Sequence, residues 1–525
     1  MAQRLQGPGA PDPFMRFVRP LLSSLALTLA VPLPAQTASP VAPAPTPAEA
    51  PRRMERLTLA DAIQRALAKN FTIRLSGFDA AISAAGVTTA LGKFDPVLTG
   101  RFTKSEAENP QLLDLSTGLR PAATRSLTDD AQLSVDGLLP WGLSYSLGAS
   151  RTNSRGTFNL FADSFSTFAG VSGRQPLLRD FGFGPTLASL RIAQRDRAIS
   201  EWEFRQAVID TVTRVTIAYH ELNFARASRR SALRSRELAA ALLQENETRF
   251  RVGRISEFDV TSARSRLASR EENILIAERR VRDAENFLKQ LITDERTPAL
   301  LDYGLEIEPP LAPPPVPVDA ATDFRLALEK RPDYQQARLF VERAAIGQRF
   351  TRNQLLPRVD LVGSYGYVGL DRNEGTSRRM VRDEDHPAYS YGLAVSVPLS
   401  FTAERGRLRA ARLDQRQAEA NLQRVEQDIV VRVGNAAGQI ETTRQRVASA
   451  RYARELGQLT LEAEEKRLRA GTGTTFFVSQ QQEIVSALEV SELRAQTDYL
   501  NAVAEYDRQL GITLEKLGLT LETPR

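Results

Sequence analysis

Two histidines and no cysteine are all that the 525 residues offer for imidazole or thiol chemistry. The missing cysteines exclude disulfides, a thiolate nucleophile, Cys-ligated zinc and a lipidated N-terminal cysteine. His220 and His386 would have to build any imidazole site between them, and their sequence contexts offer none. The run from Asp180 to Thr186, DFGFGPT, is glycine-rich and precedes a helix. It lacks the Lys-Ser/Thr that would hold a nucleotide, so it reads as a strand-to-helix turn. A formal charge of +6 and a pI near 9.6 would permit nucleic-acid binding. Yet Glu and Asp are interleaved with Arg along the helical stretches, with no basic block, which is the pattern of a solvated helix face. The expectation is a chain that is not an enzyme, holds no cofactor or metal, and binds no nucleic acid.

The spacing that does carry information belongs to two glycines. Phe250 to Val260, FRVGRISEFDV, lies between two helical patterns. Gly253 stands where the first helix should stop, and glycine alone enters the left-handed C-cap conformation without penalty. Ser256 or Thr261 could then cap the next helix. Leu468 to Val478, LRAGTGTTFFV, repeats this tip with Gly471 in the place of Gly253, an offset of 471 − 253 = 218 residues. Two helical hairpins at matched positions mean an internal duplication.

The elements around the tips repeat as well. Leu57 to Asn70, LTLADAIQRALAKN, is an amphipathic helix with Thr58 as N-cap, and Ala321 to Arg331, ATDFRLALEKR, is its partner. Each is followed by a further helical run and then by Pro96 or Pro357, an offset of 357 − 96 = 261. After each proline the period changes to two. Strands are expected near 97–104, 131–138, 142–152 and 165–174, and again near 359–367 and 389–397. Leu143, Tyr145, Leu147 and Ala149 alternate with Ser144, Ser146, Gly148 and Ser150. A soluble sheet would bury the apolar face under a second layer. A transmembrane barrel would turn it to lipid and the small polar face to a wet lumen. Residues 370 to 388 are charged and turn-rich, as an external loop would be.

Very long helices follow each set of strands. No proline interrupts the chain between Pro185 and Arg251. Val208, Val212, Val215, Tyr219 and Leu222 recur at spacings of four and three, and Val260, Leu267, Ile274, Val281 and Leu288 every seven. This is a coiled-coil seam. Val478, Val485, Tyr499 and Tyr506 repeat it in the second half, where Glu492 breaks the match to Ile274.

At the N-terminus, Arg16 and Arg19 precede the apolar stretch Leu21 to Val31, which is too short to span a bilayer. Residues 1–35 are therefore expected to be a signal peptide, starting at Met1 or Met15. Residues 36–56 are expected to be a disordered Pro/Ala linker. A first repeat is expected over 57–300, with strands about 97–174 and a long hairpin over 185–295. A Pro-rich linker spans 301–318. A second repeat covers 319–515, with strands about 359–397 and a hairpin over 402–510, before a tail at 516–525.

Taken together, these features resemble the TolC family of outer-membrane efflux proteins over about residues 57 to 515. The resemblance rests on LTLADAIQRALAKN, on QPLL at Gln175 to Leu178 with its partner VPLS at Val397 to Ser400, and on the two tips. It implies a mixed α and membrane-β fold of two internal repeats, in which transmembrane strands and long helical hairpins form a trimeric α/β-barrel. Such a homotrimer spans the outer-membrane lipid and extends a long α-barrel through the periplasm. At its far end it docks a periplasmic adaptor (membrane fusion protein) and an inner-membrane pump, in efflux or type I secretion. The implied docking residues are Val252, Gly253 and Arg254 on the first tip, and Ala470, Gly471 and Thr472 on the second. Arg254 and Ala470 depart from the family's Val-Gly-Leu/Thr. The implied gate residues are Asp259, Phe476, Phe477 and Gln480. Some relatives carry aspartates at the positions of Phe477 and Gln480, and a basic residue where Gly473 stands, so the expectation is either an iris closed by Phe476 or Phe477 in place of an acidic ring, or two phenylalanines that are seam residues between helices. The family norm of four strands per protomer gives twelve in the trimer, whereas six here would give eighteen unless the 131–152 hairpin packs elsewhere. The alternative is a periplasmic coiled-coil scaffold or adaptor.

Overall fold

The computed structural model describes residues 53–520 apart from 112–115, 117, 119–121 and 310–315. The expected signal peptide, most of the Pro/Ala linker, the centre of the Pro-rich linker and the last residues of the tail lie outside the described residues.

The first half opens with β1 (Arg53–Leu57), α1 (Leu59–Lys69) and α2 (Phe71–Leu91). Thr58 caps α1 as expected. Its hydroxyl accepts from the Asp61 N–H at 3.1 Å, while Asp61 accepts from the Thr58 N–H at 3.3 Å. Two of the helix's unpaired donors are satisfied in this way. Four strands follow: β2 (Val97–Asn109), β3 (Thr124–Leu138), β4 (Ser144–Gly156) and β5 (Phe165–Pro176). Asp180 and Gly182, both at positive φ, then turn the chain through α3 (Phe183–Thr186) into the 64-residue α4 (Ala188–Arg251). The DFGFGPT run is thus a strand-to-helix turn, held by Asn353, whose side-chain oxygen accepts from the Asp180 N–H at 2.8 Å. After the first tip, α5 (Glu257–Ile292) returns, and β6 (Tyr303–Ile307) pairs in parallel with β1.

The second half repeats the plan with α6 (Ala320–Lys330), α7 (Pro332–Asn353), β7 (Arg358–Asp371), α8 (Glu374–Arg382), β8 (Pro387–Ser396), the 68-residue α9 (Thr402–Arg469), α10 (Thr475–Leu510) and α11 (Thr513–Lys516). At 1.5 Å per residue, α4 and α9 are rods of about 96 and about 102 Å. Each rod is flanked by two shorter helices, α2 and α5 along α4, and α7 and α10 along α9. The expected seam residues Val208, Val212, Val215, Tyr219 and Leu222 are buried in one core with Ile63, Leu288 and Leu305. Ile429, Ile440, Tyr506 and Leu510 form the second core.

Three expectations are corrected. The linker thought disordered to residue 56 becomes a strand at Arg53, because Leu57 and Leu305 of the β1–β6 pair are buried over α4 and Tyr219 donates to the Glu308 carbonyl at 2.8 Å. For the same reason β6 occupies the start of the stretch read as a Pro-rich linker. The external loop 370–388 contains α8, capped by Asn373, whose side-chain oxygen accepts from the Gly375 N–H at 2.8 Å.

All six expected strands exist, and they form one antiparallel sheet in the order β2-β3-β4-β5-β7-β8. The 131–152 hairpin therefore sits inside the sheet, paired on both sides. β2 and β3 outrun the sequence reading, which ended at 104 and began at 131. Their outer ends are polar, so the two-residue apolar period fades while the ladder from Asn109↔Thr124 inward continues.

Candidate functional site

Gly253 and Gly471 have φ of +73° and +77°, the left-handed region in which a Cβ is strained. At the first tip the Gly253 N–H reaches the Phe250 carbonyl at 2.8 Å and the Arg254 N–H the Arg249 carbonyl at 2.9 Å. At the second, the Gly471 N–H reaches Leu468 at 3.2 Å and the Thr472 N–H reaches Arg467 at 3.0 Å. These crossed bonds satisfy the last carbonyls of each rod and reverse the chain within a few residues. Val252, Gly253, Arg254, Ala470, Gly471 and Thr472 are all exposed. Arg266, near the start of α5, lies over the Phe476 ring at 5.1 Å, and Arg270 pairs with Glu483 at 3.5 Å. The two tips therefore lie at the same end of the molecule.

The first returning helix is capped by Ser256. Its hydroxyl accepts from the Asp259 N–H at 3.3 Å, and Asp259 accepts from the Ser256 N–H at 3.1 Å and from its hydroxyl at 2.7 Å. Asp259 is thus the reciprocal member of a capping box. At the 218-residue offset the pair becomes Thr474 and Phe477, and α10 starts without a side-chain cap. Phe477 is half exposed and meets Phe476 edge to face at 5.7 Å; Gln480 is exposed.

Sequence reasoning missed the polar contacts that the rods make with α10. The side-chain oxygen of Asn501 lies 3.1 Å from His220 Nδ1, and its amide donates to Glu221 at 2.9 Å. Glu221 also accepts from Arg494 at 2.8 Å. Glu492, the residue that broke the heptad match, is buried. It pairs with Arg454 and, at 3.5 Å, with Arg451. The break in the apolar period was the visible signal, but nothing in the sequence named its partner.

The sheet's two faces differ in kind. Pairing places Leu147, Val171, Tyr365 and Tyr389 on one face, with Leu361, Leu393, Val359 and Val395. The other carries Ser134, Ser146, Ser172, Ser364 and Ser390, with Asp136, Arg174 and Asp360. The apolar face is open: Tyr391 is 85% and Leu147 58% exposed. Among the described residues no second layer covers it except at its outer end, where α8 seats Ser377 against Thr167 at 2.9 Å. Val359 to Tyr367 is nine residues; at about 3.4 Å each, tilted about 40°, this band is about 23 Å tall, close to the apolar belt of a membrane barrel. Among the described residues no helix is long and apolar enough to cross a membrane.

A two-faced sheet continued by paired rods defines the class, a channel subunit. The family model for outer membrane efflux proteins matches residues 113–293 and 324–511, more than half of the chain, and the chain belongs to that family. Its fold is that of solved outer-membrane channels. It is 15% identical to CmeC of Campylobacter jejuni, with TM-score 0.65, covering 87% of this chain and 86% of that one. It is 17% identical to VceC of Vibrio cholerae (TM-score 0.62, 86% and 96%) and 17% identical to the open state of MtrE of Neisseria gonorrhoeae (TM-score 0.60, 87% and 89%). No curated protein matches the chain by sequence. The protein is an outer-membrane efflux channel; CmeC and MtrE are outer-membrane channels by name, and VceC an outer-membrane protein.

Proposed function

We propose that three copies form a passive duct from the periplasm to the exterior, the exit component of a tripartite efflux or type I secretion system. The open apolar face backed by a polar one carries this reading, since a soluble scaffold would leave that face in water at a large cost. Lateral order supports the ring. α2 and α5 border α4, α4 borders α7 and α10, and these border α9, so α2/α5 and α9 are the two side edges of one copy. Phe71, Leu75, Phe78 and Ile82 form an exposed apolar stripe on α2, and Tyr452, Leu456 and Leu459 one on α9. Two different side edges give a head-to-tail contact, which forms a ring when the rotation closes.

The rods extend into the periplasm. Val252-Gly253-Arg254 and Ala470-Gly471-Thr472 receive the hairpin of a periplasmic adaptor, and an inner-membrane pump supplies the free energy. Asp259, Phe476, Phe477 and Gln480 line the iris, which the phenylalanines close by apolar contact. Thr472→Cys, in a chain with no other cysteine, should cross-link to a cysteine-bearing adaptor hairpin, whereas Ser150→Cys in the sheet should not. Equal yields at both positions would remove tip docking.

A further inference from the structure

We infer that the membrane segment of the assembled channel is an eighteen-stranded barrel, as wide as the helical tube beneath it, so that the duct has no neck at the outer membrane. This inference rests on the threefold assembly proposed above.

The β3–β4 hairpin is not an appendage. β3 pairs with β2 along thirteen residues and β4 with β5 along ten. Both of the sheet's faces run through it unbroken. Leu133 and Leu147 lie in the apolar face, and Ser134 and Ser146 in the polar one. Insertion of a hairpin adds two strands and preserves antiparallel alternation, so β8 of one copy still runs opposite to β2 of the next. The unpaired edges also agree with the helices. β2 follows α2, and β8 precedes α9, which are the two side edges of the rod layer. One threefold rotation therefore brings α9 to α2/α5 and β8 to β2 together.

The sizes agree as well. Four helices across each copy give twelve in the ring; at about 8–10 Å between axes the tube is about 31–38 Å across. Eighteen strands about 4.8 Å apart and tilted about 40° close at about 36 Å, and twelve would close at about 24 Å. At this tilt the larger barrel matches the width of the tube. Closure also removes both exposed strand edges.

Electron cryomicroscopy of the full chain in lipid nanodiscs counts the strands. The expected result is a threefold ring of eighteen, with β2 hydrogen-bonded to β8 of the adjacent copy. A threefold tube whose ring has twelve strands, with β3–β4 outside it, overturns this inference and leaves the duct intact. A particle without threefold symmetry overturns both. A second measurement needs no particle images. In intact cells a small membrane-impermeant maleimide should label Ser150→Cys, on the lumen face of β4, and spare Ala149→Cys, on its lipid face. Equal labelling would show that the hairpin is not in the barrel wall.

Discussion

His220 is the one buried imidazole among the described residues. Burial holds its pKa below the ordinary value, against smaller upward pulls from the Asn501 hydrogen bond and the Glu221 carboxylate. The folded state therefore favours neutral His220. Its contribution is intact above the ordinary histidine value of about 6.5 and is lost as pH falls below it toward the depressed folded value. Arg494, paired with Glu221, is a further charge near this contact. Asp507, on the same helix, works in the opposite direction: burial raises its pKa, partly countered by Lys516, so it takes up a proton more readily when folded. Denaturant midpoints at pH 7 and pH 5 should fall less for His220→Gln than for the unaltered chain. An identical fall would show that the His220–Asn501 contact is not an acid-sensitive joint between the two hairpins.

At the scale of the element, the two tips differ in one feature. α5 begins with a Ser256–Asp259 capping box, and α10 begins with Thr474 and no side-chain cap because Phe477 occupies the aspartate's place. Such a cap stabilises a helix start by about 1 kcal/mol. Asp259→Ala should speed amide hydrogen exchange at 257–260 by about tenfold or less, and Phe477→Asp should slow it at 475–478 by completing a second box. If exchange at 475–478 does not change, the carboxylate missing at position 477 does not limit the start of α10. The same substitution tests the iris in conductance, so the two readouts are best taken together. The glycines, the heptads and Thr58 were legible because each acts through local backbone geometry or a periodic face. β1 and β6 were not, since five-residue strands carry little period and these pair across some 250 residues. α8 was hidden in a charged loop because Asn373 caps it and Gly369 lets it approach the sheet. A Cβ at Gly369 would collide with the Ser377 carbonyl.

For the whole molecule, the duplication explains why two rods of similar length end together. Each half supplies strands, then a long helix, a glycine tip and a shorter return, so both tips reach the same distance from the sheet. The sequence also showed the alternation of the strands, but it could not say whether the apolar face had a cover, because a cover comes from tertiary packing. The structure leaves that face open to its surroundings. The central claim is that lipid covers it and that copies of the chain cover the side edges. The mass of the particle extracted from membranes tests this most directly. The chain should sediment with outer membranes, require detergent for release, and then weigh about three times a single chain, whose 525 residues sum to 58.0 kDa. A monodisperse single chain in detergent-free buffer would contradict the account.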